Sequence, residues 1–462
     1  MLFNSLIFLY LFLPITYLIF WRLTTKNGRY LWLTVTGYIF YSFWNYKFCS
    51  LMALSTLVSY CAGLGFLRWT DPRRRKMCLI LPLTFDLLLL GFFKYTNFLI
   101  DTVNQAIAAF HGGSGLPLYE IVLPIGISFY TFHTISYIVD SYRGVITPTR
   151  NLFEFSCYVS LFSQLVAGPI VRFREIEADL ESIGRAQRRR GLNIGWSFIV
   201  IGMSKKVLLA DSIAAIINPA FAQWRDLSTL SAWLCALGYS YQLYFDFSGY
   251  SDMAVGLGHL FGLRLPQNFN SPYQAVDISD FWRRWHMSLS RVLRDYIYIP
   301  LGGSHGSVRK MYRNLMVTMI LGGLWHGAAW TFVFWGAYHG ALLVAGKVYG
   351  NYWERLPETG RRIGTFLLVV IGWVFFRSES FAMATTLLHA MFVWQPGVLL
   401  TGAPLLTGLL LLAAVLAHAG RNSFEIRHEW TPVPALGLAA LFAFSIVAIY
   451  GEHQSPFLYF QF

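Results

Sequence analysis

The residues with the clearest capacity for chemistry are histidines set in apolar sequence. His326 lies in Leu321-Gly322-Gly323-Leu324-Trp325-His326-Gly327, with a long apolar stretch on each side. An ionisable group at membrane depth is expensive to bury, so it is a functional candidate by default. An imidazole titrates near neutral pH and suits a general base. Gly322 and Gly323 stand at i−4 and i−3, one helical turn away on the same face, and could leave room beside the ring. The same glycines could instead serve close helix packing, with the histidine bonded to a neighbouring carbonyl. The residues alone leave both readings open.

His286 is the second candidate. On a helical wheel of Asp280–Tyr296, Phe281, Trp282, Trp285, Leu289, Val292, Leu293 and Tyr296 share an arc of about 120°. Arg283, Arg284, Arg291 and Arg294 lie opposite. The pattern predicts one basic amphipathic helix in the interface plane, with His286 at the edge of the apolar arc. There it is either an anchor of the helix or an inward-facing site residue. Asp246 lies in Tyr241–Asp252, a run of hydroxyls and two acids whose glycine and serines could kink a helix. It could orient a histidine, bind a substrate hydroxyl or join a buried structural network. Lys205 and Lys206 are expected to snorkel to an interface.

The remaining histidines carry weaker signals. His133 and His259 lack a glycine-cleared face. His339, thirteen residues after His326, would stand roughly 140° away on a continuous helix, outside a shared site. His305 sits in a Gly-Gly-Ser-His-Gly loop, and His111, His389, His418, His428 and His453 have no compelling context. No H-x-x-x-H or H-E-x-x-H spacing appears, so no metal site is expected. Nucleotide-binding and serine-hydrolase motifs are absent too. The five cysteines show no C-x-x-C pair, which argues against zinc or a disulfide framework.

These residues must be positioned by a membrane fold. Of 462 residues, 56% are hydrophobic and 13% charged, about half the charge of a soluble domain. A bilayer accommodates so much apolar surface because lipid-facing positions can be apolar as well. The net charge of +13 falls mostly in short segments between apolar runs. That is the positive-inside pattern, with anionic lipid as partner and no basic soluble domain for nucleic acid. The expectation is an all-α integral membrane protein, one domain over residues 1–462. About 11 transmembrane helices are expected from the length needed per span, with re-entrant and interfacial pieces. Leu6–Trp21 reads as a retained first span, because no basic leader or cleavage site precedes it. Further spans are expected near 31–46, 51–67, 79–100 and 121–139, with 101–118 as an outside loop. Gly168-Pro169 should break Phe153–Ile170, marking a span or a re-entrant piece. Later spans fall near 191–217, 230–247, 315–335, 336–348, 363–376, 399–417 and 435–450.

Several long motifs then occur in one order: Leu123–Tyr130, Gln164–Ile170, Tyr244–Ala254, Asp280–His286, Gly322–Gly327 and the ending Ser455–Phe462. Together they resemble the membrane-bound O-acyltransferase (MBOAT) family, in its alginate O-acetylation branch with peptidoglycan and cellulose relatives. The resemblance covers nearly the whole chain and is weakest near 380–435. It implies a funnel-like helical fold around a central tunnel, with His326 at the catalytic position and His286 at the second signature position. Asp246, Trp325, Gly323 and Trp285, within the same motifs, are the substrate-binding candidates. The implied activity is O-acetyl transfer in the bacterial inner membrane. The donor would be acetyl-CoA or another acetyl thioester, with no bound cofactor, and a periplasmic acetyltransferase partner would modify an exported polysaccharide. D-alanyl transfer from an acyl carrier protein, a transporter or flippase with a His326–Asp246 proton relay, and a non-enzymatic assembly scaffold are the competing readings.

Overall fold

Apolar runs punctuated by charge fold as helices, since backbone groups in hydrocarbon must be satisfied within the segment. The computed structural model describes residues 1–110, 115–166, 168–185, 188–451 and 458. His111, His453 and the Ser455–Phe462 ending apart from Leu458 lie outside the described residues, as does Ala167. The described residues form helices and no strand, with one isolated bridge between Leu227 and Val398. Four helical stretches are long and apolar enough to cross a bilayer: Lys26–Arg68, Pro72–Phe110, Glu358–Arg377 and Pro432–Tyr450. Phe8–Arg22, Phe381–Phe392 and Ala403–His418 are shorter apolar helices. Among the described residues, therefore, length and composition qualify four stretches against the roughly eleven spans anticipated from the sequence.

The chain divides into two compact units, one of residues 1–191 with 258–265, the other of 192–257 with 266–462. In the first unit, Asp86 is buried and accepts hydrogen bonds from the hydroxyls of Ser55 and Thr134. Arg264 forks onto Asp179. The stretch 153–170 does not form a continuous span. Helix Leu152–Ser160 gives way to a four-residue turn, Phe162–Leu165, and then to buried non-helical backbone around Gly168-Pro169. The loop expected from residue 101 begins later, because Thr96–Phe110 is helical.

The second unit holds every candidate site residue. Its longest helix, Thr229–Leu260, runs unbroken through Ser248–Asp252, where glycine and serines could have interrupted it. Val308–His326 turns at Gly327 into Trp330–Trp353, so the two helices pack as a hairpin. The small residues decide how closely. A Cβ on Gly323 would lie 2.2 Å from the Phe332 carbonyl oxygen, and one on Gly336 would lie 2.3 Å from that of Met319. Gly323 thus serves backbone approach between the two helices.

Candidate active site

His326 is the last residue of its helix, and 4% of it is exposed. Its ring stands edge-on to Trp335 at 5.2 Å and to Phe376 at 5.3 Å, with Trp325 at 5.0 Å. These rings fix its orientation and keep the surroundings apolar.

His286 arrives from a different element and by a different device. The single amphipathic helix expected over Asp280–Tyr296 is interrupted: Ile278–Arg284 ends, and Met287–Leu293 begins beyond His286. His286 itself takes left-handed backbone angles, φ 42° and ψ 53°. Such a conformation costs a non-glycine residue about 1–3 kcal/mol and persists where its surroundings over-determine it. Here a paired backbone supplies the constraint. Met287 N–H donates to the Asn268 carbonyl at 2.8 Å and Asn270 N–H to that of Arg284 at 2.9 Å. The sidedness foreseen on the wheel persists despite the break, with Phe281, Trp282, Trp285, Leu289, Val292 and Leu293 buried.

Asn268 also fixes the ring. Its Oδ1 accepts from the Ser288 N–H at 3.1 Å and the Ser288 hydroxyl at 2.9 Å. His286 Nδ1 lies 3.1 Å from the same oxygen. An amide oxygen can only accept, so Nδ1 carries the proton, which leaves the lone pair on Nε2. The two seven-residue helices are too short to cross a bilayer. Burial, reinforced by the charge of Arg291, pushes the His286 imidazole down to about 3, so it is neutral at physiological pH. The His286 and His326 rings are 6.3 Å apart, with Trp325 touching both.

The other candidates disperse. Trp285 is a buried packing residue, 4.9 Å from Trp373 and stacked on Phe281 at 5.6 Å. Asp246 is bonded to neither histidine. Its carboxylate holds Lys206 Nζ at 2.5 Å and accepts the Leu458 N–H at 3.0 Å, while the neighbouring Phe247 packs edge-on against His286 at 4.7 Å. Lys206 does not snorkel: only 1% of its side chain is exposed, and it bridges Asp246 and Asp211. Lys205, one-fifth exposed, pairs with Asp252. These pairs form around a π-helical stretch, Lys205–Ala210, where a wider turn re-aims two adjacent lysines.

Three residues not singled out by spacing belong to the site. Asn268 has no motif signal, because its role depends on a chain reversal. Trp335 and Phe376 read as ordinary apolar positions. A continuous helix would hold His339 away from His326, but the helix ends at His326 and a new one begins at Trp330. It is fully buried, 4.9 Å from Trp335, which in turn borders His326. Neither His339 nitrogen nor the Trp335 or Trp282 indole N–H finds a hydrogen-bond partner among the described residues. No metal-ligand cluster occurs among the described residues.

Comparison with known proteins bears on this arrangement. Residues 118–383 match the family described as MBOAT, membrane-bound O-acyltransferase family, a stretch that contains both histidines, Asn268 and Trp335. The chain is 44% identical to "Probable alginate O-acetylase AlgI" of Pseudomonas aeruginosa, over 94% of this chain and 84% of that protein. It is 36% identical to the "Peptidoglycan O-acetyltransferase" of Helicobacter pylori, covering 85% and 80% of the two chains. Against the "Teichoic acid D-alanyltransferase" of Bacillus subtilis, identity is 30% over 56% of this chain and 68% of that one.

Proposed function

The chain belongs to the membrane-bound O-acyltransferase family and is an O-acyltransferase, and from that premise we propose that it takes acetyl groups from an acetyl thioester for the O-acetylation of an exported polysaccharide, with His326 as general base. The observation that carries the residue assignment is the convergence of His326 and His286, from separate elements, at 6.3 Å in a buried aromatic enclosure.

The step begins when His326 takes the proton of an acceptor hydroxyl. The hydroxyl oxygen attacks the thioester carbonyl carbon, and the carbonyl electrons move onto its oxygen. The indole N–H of Trp335 is the donor available to that oxyanion, and a preorganised donor in a dry site is worth several kcal/mol. Collapse breaks the C–S bond, and the imidazolium returns its proton to the departing thiolate, giving an ester and a free thiol. His286, neutral and with its lone pair on Nε2, accepts a hydrogen bond from a neighbouring hydroxyl of the acceptor and so aligns the reacting one.

Acetyl transfer in polysaccharide modification is preferred to D-alanyl transfer because the similarity to O-acetylating proteins spans most of the chain. The similarity to the D-alanyltransferase covers just over half of it. Multi-pass placement in the bacterial inner membrane, acetyl-CoA or another acetyl thioester as donor, and a periplasmic partner that completes polymer acetylation are parts of the same proposal. The test is polymer acetylation in cells carrying His326→Ala at wild-type protein level. Loss of acetylation is expected, and retained acetylation removes His326 from the catalytic role.

A further inference from the structure

Away from the histidines, the second unit contains a cavity of about 540 Å³ bounded by the start of Ile278–Arg284, the end of Trp330–Trp353 and the start of Glu358–Arg377. Two buried polar atoms of its lining lack a partner among the described residues. Arg361 and Thr365 stand one turn apart on the same helix face. Thr365 is 2% exposed, yet its hydroxyl has no hydrogen-bond partner among the described residues, and neither has the buried Nε of Arg361. Buried polar atoms left alone cost free energy, so such a pair calls for an occupant. The adjacent Arg362, which does not line the cavity, pairs through its terminal nitrogen with Glu358 at 2.5 Å.

The charge pattern states what the occupant carries. Arg361, Lys347 and Arg283 line the cavity. Arg283 is held only loosely, 3.9 Å from Asp280. Of the lining acids, Asp277 is engaged as the cap of Ile278–Arg284, accepting from the Asp280 N–H. Glu354 forms no ion pair among the described residues, so the lining carries three cations and two acids. An anionic group fits on the Arg361–Thr365 side.

The surroundings state what is attached to that anion. The cavity lies at the N-terminal end of Glu358–Arg377, one of the stretches able to cross a bilayer. Tyr349, Tyr352 and Leu356 line it and are exposed, and Ile363 and Leu367 lie exposed on the same helix end. Trp353 is fixed at the wall by its indole N–H to the Val276 carbonyl at 2.8 Å. Tyrosine and tryptophan beside cations and exposed aliphatic side chains mark headgroup depth in a membrane. Basic pockets between membrane helices at this level hold lipid phosphates.

We propose that this cavity binds the phosphate of an anionic membrane phospholipid, with Arg361, Thr365 and Lys347 on the phosphate and the acyl chains along the exposed apolar side chains. The proposal is independent of the role of His326. The test uses full-chain protein, delipidated in neutral detergent, with phosphatidylglycerol binding followed by native mass spectrometry and thermal shift. Lys347→Gln with Arg361→Gln is expected to weaken binding about thirty-fold, from roughly a fivefold factor for each cation at a headgroup. Thr365→Val, which keeps the volume, is expected to weaken it several-fold without unfolding the protein. Arg73→Gln, the same charge removed from the first unit, is expected to leave binding unchanged. Diacylglycerol, inorganic phosphate and coenzyme A are expected not to compete at equal concentration. The proposal is overturned if the cavity variants bind like wild type, or if Arg73→Gln weakens binding equally. Competition by diacylglycerol would make the site merely apolar. Competition by inorganic phosphate or coenzyme A would assign it to a soluble phosphate.

Discussion

Replacing Asn268 with leucine tests whether His286 is set by a single side chain on the opposing segment. The Oδ1 of Asn268 meets three donors: His286 Nδ1–H, Ser288 N–H and the Ser288 hydroxyl. At about 1 kcal/mol net for each bond, Asn268→Leu removes about 3 kcal/mol. The strain of the left-handed His286 backbone, about 1–3 kcal/mol, then loses part of what offsets it. The ring also loses its tautomer restraint, so the lone pair is no longer held on Nε2. Acetylation is expected to fall about 100-fold, near the low end of a general acid–base contribution. The assay is polymer acetylation normalised to membrane-extracted protein, beside thermal unfolding in detergent. Asn268→Asp, which keeps an acceptor oxygen in place, should retain more activity than Asn268→Leu, and His286→Ala should resemble the leucine variant. Wild-type acetylation by Asn268→Leu would refute the claim that Asn268 positions His286. Equal loss in the aspartate and leucine variants would refute the hydrogen-bond reasoning.

Other expectations follow from the same geometry. Lys206→Met leaves Asp246 and Asp211 buried without their shared cation, which should cost about 3–5 kcal/mol. Adding Asp246→Asn and Asp211→Asn should recover most of the lost thermal stability, and no recovery would show that the triad is not the cause. A Cβ on Gly372 would lie 2.8 Å from His339 Nε2, so Gly372→Ala should displace the His339 ring and cost about 1–3 kcal/mol. His339→Ala in the same chain should relieve the strain, and additivity of the two changes would sink this account. Because the His286 imidazole is lowered from 6.5 to about 3, the unfolded chain binds more protons between those values. Its contribution is fully present above pH about 6.5 and is lost as pH falls, about 2 kcal/mol by pH 5. Thermal unfolding of His286→Asn should be flatter across that range, and an unchanged slope would count against a neutral buried ring.

Composition and periodicity made the all-helical membrane character legible, because hydrocarbon leaves a chain few other ways to satisfy its backbone. The flanking pattern of His326 identified it as a candidate for the same reason, since an isolated ionisable group in an apolar run demands an explanation. Wheel geometry also identified the buried side of Phe281–Leu293, because burial follows the helical period even when the helix is broken nearby. What periodicity could not supply was the break itself. His286 occupies a left-handed position that depends on Asn268, eighteen residues earlier in the chain, and no local spacing encodes that pairing. Trp335 and His339 reach the neighbourhood of His326 only because the chain reverses at Gly327. Asp246 shows the same division: its buried acid was visible in the sequence, but its partner was decided by a π-helical turn that aims Lys206 inward. The sequence determined which groups could do chemistry in a membrane, since the cost of burying charge is a property of each residue. Which of them meet was decided by the tertiary structure, because a 6.3 Å approach of His286 to His326 depends on where separate helices end.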